Sequence, residues 1–212
     1  TAIGQASVKI TGKGLYKGTK TVNFNIRPAT VTNLKVSSTG EKSVKLSWKK
    51  VTGADSYAIY RYDNTSKKWQ RIKTVKAVSF TDSGLARAKG YSYKVKAVKK
   101  SGGKEYISAS YSKAVEAVTK PAKASCTAKS AGSGSIEVSW KAVGGAGGYE
   151  IYSSSNGSDY VKSAKVGGSQ KSAIVSGFEP YSLRMVKVRA YKTVNGKTSY
   201  GAFSQAVMVI VR

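Results

Sequence analysis

The 212-residue chain has no histidine, one cysteine, three prolines and ten acidic residues. Without histidine, no serine or cysteine nucleophile can be served by an imidazole base, so Ser-His-Asp and Cys-His triads are excluded. Zinc-protease motifs fall for the same reason. One cysteine beside no histidine also leaves too few soft ligands for most metal sites. Cys126 has no partner for an intrachain disulfide and reads as a small buried apolar residue. The carboxylates are scattered, with no pair placed on one face for glycoside hydrolysis. Asp55 and Asp82 fall in turns, where aspartate commonly caps backbone amides. No cofactor and no catalytic residue is expected. No apolar run reaches the length of a membrane span. The opening TAIGQASVKIT lacks the basic-then-apolar layout of a signal peptide, so the expectation is a removed leader or a piece of a longer protein.

What is present in excess is positive charge. Thirty-seven Lys and Arg give a net charge of +27. The excess runs along the whole chain, +5 over 1–29, +14 over 30–120 and +8 over 121–212, so it is no basic tail. Such a field favours polyanions: nucleic acid, anionic lipid, or acidic wall polymers and glycans. Hydrophobic residues make up 40%, enough to build packed cores.

The chain repeats itself. SVKLSWKKVTGADSYAIYR (43–61) returns as SIEVSWKAVGGAGGYEIYS (135–153). Trp48 matches Trp140, Tyr57 matches Tyr149, and Tyr60 matches Tyr152. After a one-residue shift Val95 matches Val188 and Ala97 matches Ala190; Ser112 and Val115 then match Ser204 and Val207. A repeat of about ninety residues has the size of a small domain. The local pattern is β. Val44, Leu46 and Trp48 alternate with polar residues, as do Tyr91, Tyr93, Val95 and Ala97. Turns are signalled at Thr52-Gly53, Gly102-Gly103, Asn156-Gly157 and Asn195-Gly196. Asn64-Thr65-Ser66 and Asn156-Gly157-Ser158 fit a glycosylation pattern but read as turns. Gly12-Lys13-Gly14 with Gly18 lacks the spacing of a phosphate loop and reads as a hairpin turn.

Each repeat resembles a fibronectin type III module of bacterial surface and secreted proteins. The residues that carry the resemblance are Trp48 and Trp140, the stretches 53–60 and 145–152, and the run Tyr91-x-Tyr93-x-Val95-x-Ala97. Leu85 with Tyr91 fits that fold's tyrosine corner, in which a phenol pins a turn. The second repeat departs from it, with Phe178 for the leucine and Arg184 for the tyrosine, and should use another pin there or be the less stable. Residues 1–29, with Ala6, Val8 and Ile10 against Val22, Phe24 and Ile26, resemble the closing hairpin of a bacterial Ig-like repeat whose upstream part is missing. The resemblance implies an all-β chain: a hairpin remnant (1–29), then two tandem fibronectin type III-like β-sandwiches, 30–120 and 121–212.

If Tyr57 and Ile59 face the core, Tyr60 and Tyr62 face outward, and so do Lys94, Lys96 and Val98. The fold makes their strands neighbours. The second module offers Tyr152 beside Lys187, Arg189 and Tyr191. Such a face has two readings: a site for an anionic glycan, or lysine stems lying across tyrosines as ordinary packing. The packing reading is preferred. By resemblance, the chain is a non-catalytic spacer and interaction unit of a bacterial extracellular or cell-wall-associated protein. Its expected partners are anionic cell-wall polymers or glycans, or another surface protein. Residues 6–26 would add a route to strand-mediated self-association through their unpaired edges. The rival readings are an accessory module of a polysaccharide-degrading enzyme and non-specific nucleic-acid binding. The latter lacks any recognised motif.

Overall fold

A computed structural model describes residues 2–212. Among these the chain forms strands and no helix. Strands β1 (Gly4–Thr11) and β2 (Thr19–Ile26) make a two-stranded antiparallel hairpin in which Ala6 faces Phe24 and Val8 faces Val22. The glycines at 12–18 serve its turn, where the Gly12 amide donates to the Gly18 carbonyl at 3.0 Å. The strands pair as a hairpin, with Ile10 opposite Lys20 and Ile26 opposite Gly4, and the apolar face stays open: Val8, Ile10, Val22 and Phe24 are all exposed.

Eight strands follow: β3 (Lys35–Thr39), β4 (Ser43–Ser47), β5 (Ser56–Asp63), β6 (Lys68–Val75), β7 (Ser79–Ser83), β8 (Gly90–Ser101), β9 (Lys104–Ile107) and β10 (Val115–Val118). They form a three-stranded sheet, β3-β4-β7, and a five-stranded sheet, β10-β8-β5-β6 with β9 also on β8. The second set repeats the plan: β11 (Cys126–Ser130), β12 (Ser135–Trp140), β13 (Gly148–Ser154), β14 (Val161–Gly167), β15 (Ser172–Ser176), β16 (Leu183–Val194), β17 (Lys197–Tyr200) and β18 (Val207–Ile210). Its sheets are β11-β12-β15 and β14-β13-β16-β17, with β18 also on β16. By compactness the chain divides into two units. One comprises Thr1–Ser38, Lys45–Thr81 and Tyr91–Glu116; the other comprises Thr39–Val44, Asp82–Gly90 and Ala117–Arg212.

Period-two alternation places one side of each strand in a core. Val44, Leu46, Tyr57, Ile59, Tyr93, Val95 and Ala97 are buried, and so are Ile136, Val138, Tyr149, Ile151, Val186, Val188 and Ala190. Each core holds a tryptophan against a tyrosine. Trp48 and Tyr57 have ring centroids 5.4 Å apart, and Trp140 and Tyr149 5.1 Å. A buried phenol needs a hydrogen-bond partner. The Tyr57 hydroxyl accepts the Val51 amide at 2.8 Å, and the Tyr149 hydroxyl accepts the Val143 amide at 2.7 Å. Each tyrosine thereby fixes the loop that leads into its own strand. The Trp140 indole donates to the Gln170 carbonyl, whereas the Trp48 indole nitrogen is buried without a partner. Asn195-Gly196 and Gly102-Gly103 take the positive φ that tight hairpins demand at both central residues.

In the second sandwich Arg184 and Phe178, which stand where the first repeat has Tyr91 and Leu85, meet each other. The Arg184 guanidinium lies 5.0 Å from the centre of the Phe178 ring. Tyr181, at φ 59°, donates its amide to the Val211 carbonyl, and Val211 donates back to Ser182. The first repeat makes a matching pair of backbone bonds, Ala88 to Lys120 and Thr119 to Lys89, so they belong to both turns and only the Arg184–Phe178 contact is particular to the second.

Replacing Tyr57 or Tyr149 by Phe keeps the ring and strands one amide. Each change should cost about 1–2 kcal/mol, more at Tyr57 because the Val51 amide is fully buried, as read from urea unfolding midpoints.

Candidate binding face

The outward side of each five-stranded sheet collects aromatic rings and cations. In the first sandwich Tyr60 lies opposite Lys94, and Ala58 opposite Lys96. Lys94 Nζ sits 4.4 Å from the centre of the Trp69 ring and 5.4 Å from that of Tyr111. Lys96 Nζ sits 4.3 Å from the Tyr111 ring and donates to the Ala109 carbonyl at 3.0 Å. Tyr60 meets Tyr111 edge-on at 4.9 Å, and Tyr62 meets Trp69 at 5.3 Å. Arg71 pairs with Glu105 at 3.0 Å. Tyr60, Tyr62, Lys94 and Lys96 are therefore brought together as expected. Val98 is not part of the open face. It points outward by alternation, but it is fully covered where it pairs with Ile107 of β9.

The second sandwich builds the same arrangement with other residues. Tyr152 lies opposite Lys187 and Glu150 opposite Arg189. Lys187 Nζ is 3.5 Å from the Tyr160 ring and 4.5 Å from Phe203. Arg189 lies over Tyr200, Phe203 and Tyr152 at 4.0, 4.8 and 5.1 Å. Tyr191 stands with Lys165, at 4.6 Å, and with Tyr200. Sequence reasoning missed Trp69 and Tyr160, and Tyr111 and Phe203. Each pair occupies equivalent places, and the signal was an aromatic residue at nearly the repeat spacing.

Glu150 was also missed. It is 1% exposed, yet its carboxylate is fully partnered. Oε2 accepts from Arg189 Nε at 3.0 Å, from Arg189 Nη2 at 2.7 Å and from the Tyr152 hydroxyl at 3.1 Å, and Lys162 lies 3.5 Å from Oε1. Burial pushes its pKa up. Hydrogen bonds from Arg189 and Tyr152, with the charges of Arg189 and Lys162, outweigh that and hold it below the ordinary 4.5. In the first sandwich burial lowers the pKa of Lys96, helped by the charge of Arg27, and burial raises that of Tyr60, with Tyr111 adding to it.

Asp55 caps a turn as expected, whereas Asp82 lies buried within β7 and not in a turn. Asp55 accepts the Lys100 amide and the Lys99 ammonium, both at 2.9 Å, and is held below its usual pKa by them. Asp63 accepts the Thr65 and Ser66 amides, and Asn156 Oδ1 accepts those of Ser158 and Asp159. Cys126 is half-buried rather than buried, packing on the second core with its Sγ 3.1 Å from Ser204 Oγ. Chemically, the face can hold anions and stack on flat apolar surfaces.

The arrangement of paired sheets finds its match among solved structures. The segment of two fibronectin type III domains from chicken tenascin superposes with a TM-score of 0.52 at 17% identity, covering 85% of this chain and 99% of that one. The fold is that of tandem fibronectin type III domains. The FN1–FN3 domains of chicken CNTN1 cover 98% of the chain at a TM-score of 0.43 and 17% identity, with 77% of their own length aligned. No family model matches the chain. In sequence, a poly(3-hydroxybutyrate) depolymerase from Ralstonia pickettii is 43% identical over 100 residues, which are 47% of this chain and 18% of that protein. The chain thus spans less than a fifth of that relative's length.

The Glu150 cluster makes the second fibronectin type III domain acid-sensitive. Its depressed pKa gives a stabilisation that is complete above the ordinary value of 4.5 and is lost as pH falls through the lower folded value. Calorimetric melts from about pH 7 down to about pH 2.5 should show this loss in the wild type and a flatter profile in Glu150→Gln. At neutral pH the Gln variant should be less stable by about 3 kcal/mol, the scale of a broken buried pair.

Proposed function

We propose that the chain is a non-catalytic spacer and interaction unit of a bacterial extracellular protein. It consists of a hairpin (1–29) and two fibronectin type III domains (30–120 and 121–212), and it adheres through its basic surface to anionic envelope polymers or glycans. The observation that carries this reading is the pairing of a +27 charge with faces that hold lysine and arginine over aromatic rings. Lys94, Lys96 and Lys187 are so held with no carboxylate partner among the described residues, so they are available to an outside anion, whereas Arg189 is taken by Glu150. Diffuse charge of one sign gives loose adhesion that salt screens within about 10 Å at 0.1 M. The cell-wall location and the choice of polymer belong to this proposal, as does self-association through the open edges of 6–26.

A second reading is favoured by the depolymerase relative: an accessory module beside a polymer-degrading domain, with a polyester, rather than a polysaccharide, as the polymer that relative is named for. The exposed Val8, Ile10, Val22 and Phe24 suit an apolar solid surface.

One set of adsorption measurements separates the two. The spacer reading expects retention on anionic wall polymer, dextran sulfate and single-stranded DNA alike at about 20 mM salt, release near about 150 mM, and no retention on neutral dextran. Failure to bind any polyanion at low salt would falsify it. Adsorption to poly(3-hydroxybutyrate) granules that persists at about 1 M salt would favour the accessory reading instead.

A further inference from the structure

The two aromatic–cation faces have the same geometry and opposite electrostatic completion. Ala58 and Glu150 occupy equivalent strand positions, each directly opposite the cation of the neighbouring strand, Lys96 and Arg189 respectively. In the second domain the Glu150 carboxylate fills the face from within and takes Arg189, Tyr152 and Lys162 as partners. In the first domain alanine supplies nothing. Lys94 and Lys96 converge on the single ring of Tyr111, at 5.4 and 4.3 Å, and neither has a carboxylate partner among the described residues. Glu105, the acidic group on that face, is taken by Arg71. Two ammonium groups held on one ring, with Arg27 adding its charge at Lys96, make a site that favours an anion.

We propose that the first fibronectin type III domain binds a carboxylated polysaccharide at Lys94, Lys96 and Tyr111, the outside carboxylate taking the part that Glu150 plays internally in the second domain. The second domain identifies the anion, because a carboxylate is what this position accepts when the chain provides one. The rings of Tyr60, Trp69 and Tyr111 around the ammonium groups supply flat apolar surfaces of the kind on which sugar rings pack. Ala58 is itself covered, so the carboxylate meets the ammonium tips above Tyr111 and not the strand. The inference rests on the polyanion-adhesion reading and narrows it to one site in one domain.

The test is calorimetric titration of the whole chain with oligogalacturonate at about 150 mM salt, where diffuse attraction is screened. One saturable site is expected. Lys94→Gln and Lys96→Gln should each weaken it at least about tenfold, the effect of losing roughly one charge-assisted hydrogen bond. Lys141→Gln, at an exposed lysine outside both faces, should leave it unchanged. Ala58→Glu should abolish it by installing the internal carboxylate, and Glu150→Ala should create a second site; the lysine variants, on the surface, decide the matter if either of these fails to fold. No saturable site, or one unmoved by Lys94→Gln and Lys96→Gln, overturns the proposal. Binding of poly-L-glutamate with no binding of oligogalacturonate overturns the assignment to a sugar. Low-salt binding of dextran sulfate without any oligogalacturonate site removes this inference and leaves the adhesion reading standing; loss of both removes that reading as well.

Discussion

A buried serine hydroxyl lets the last strand of each domain break. Between β9 and β10, Ser112 Oγ accepts the Val95 amide at 3.0 Å and donates to the Lys113 carbonyl, while the Ser112 amide donates to the Val95 carbonyl. Ser204 does the same with Val188 and Gln205 between β17 and β18. A broken strand in the middle of a sandwich would otherwise leave backbone groups buried and unpaired. With the serine in place the break is tolerated, and the residue just before it, Tyr111 or Phe203, joins the outer face. Each aromatic–cation face is built around that residue, so its geometry depends on a hydroxyl facing the core.

This arrangement explains what was legible in the residues and what was not. Alternation identified the inward side of the strands and the pairing of Tyr60 with Lys94 and of Tyr152 with Lys187, because side-chain period and strand neighbourhood follow directly from the pattern. Trp69 escaped because a register shift after Ile59 moves β6 out of simple alternation with β5, and Tyr160 because it lies just before β14 rather than in it. Tyr111 and Phe203 escaped because they belong to a strand break and not to a strand. Val98 was misjudged because outward alternation says nothing of what lies over that end of the sheet. Glu150 left no trace in the repeat, since its counterpart is alanine.

The duplication preserved a scaffold and let its surface diverge. The Trp–Tyr pairs, the phenol-to-amide bonds and the serine breaks recur almost residue for residue, while the charges on the outer faces were redistributed. In the first domain the carboxylate sits on β9 as Glu105 and serves Arg71; in the second it sits on β13 as Glu150 and serves Arg189. The core registers are unaffected by that move. Packing constrains the inner side of these sheets, and the outer side is free to change its partners.

The placement of the three tryptophans also makes the molecule its own optical instrument. Trp48 and Trp140 lie one in each core beside a tyrosine, and Trp69 lies on the outer face beneath the ammonium group of Lys94. Their emission therefore comes from three separate environments. An event at the face acts on the indole of Trp69 and leaves the other two dark to it, whereas loss of either core is seen by the indole it contains.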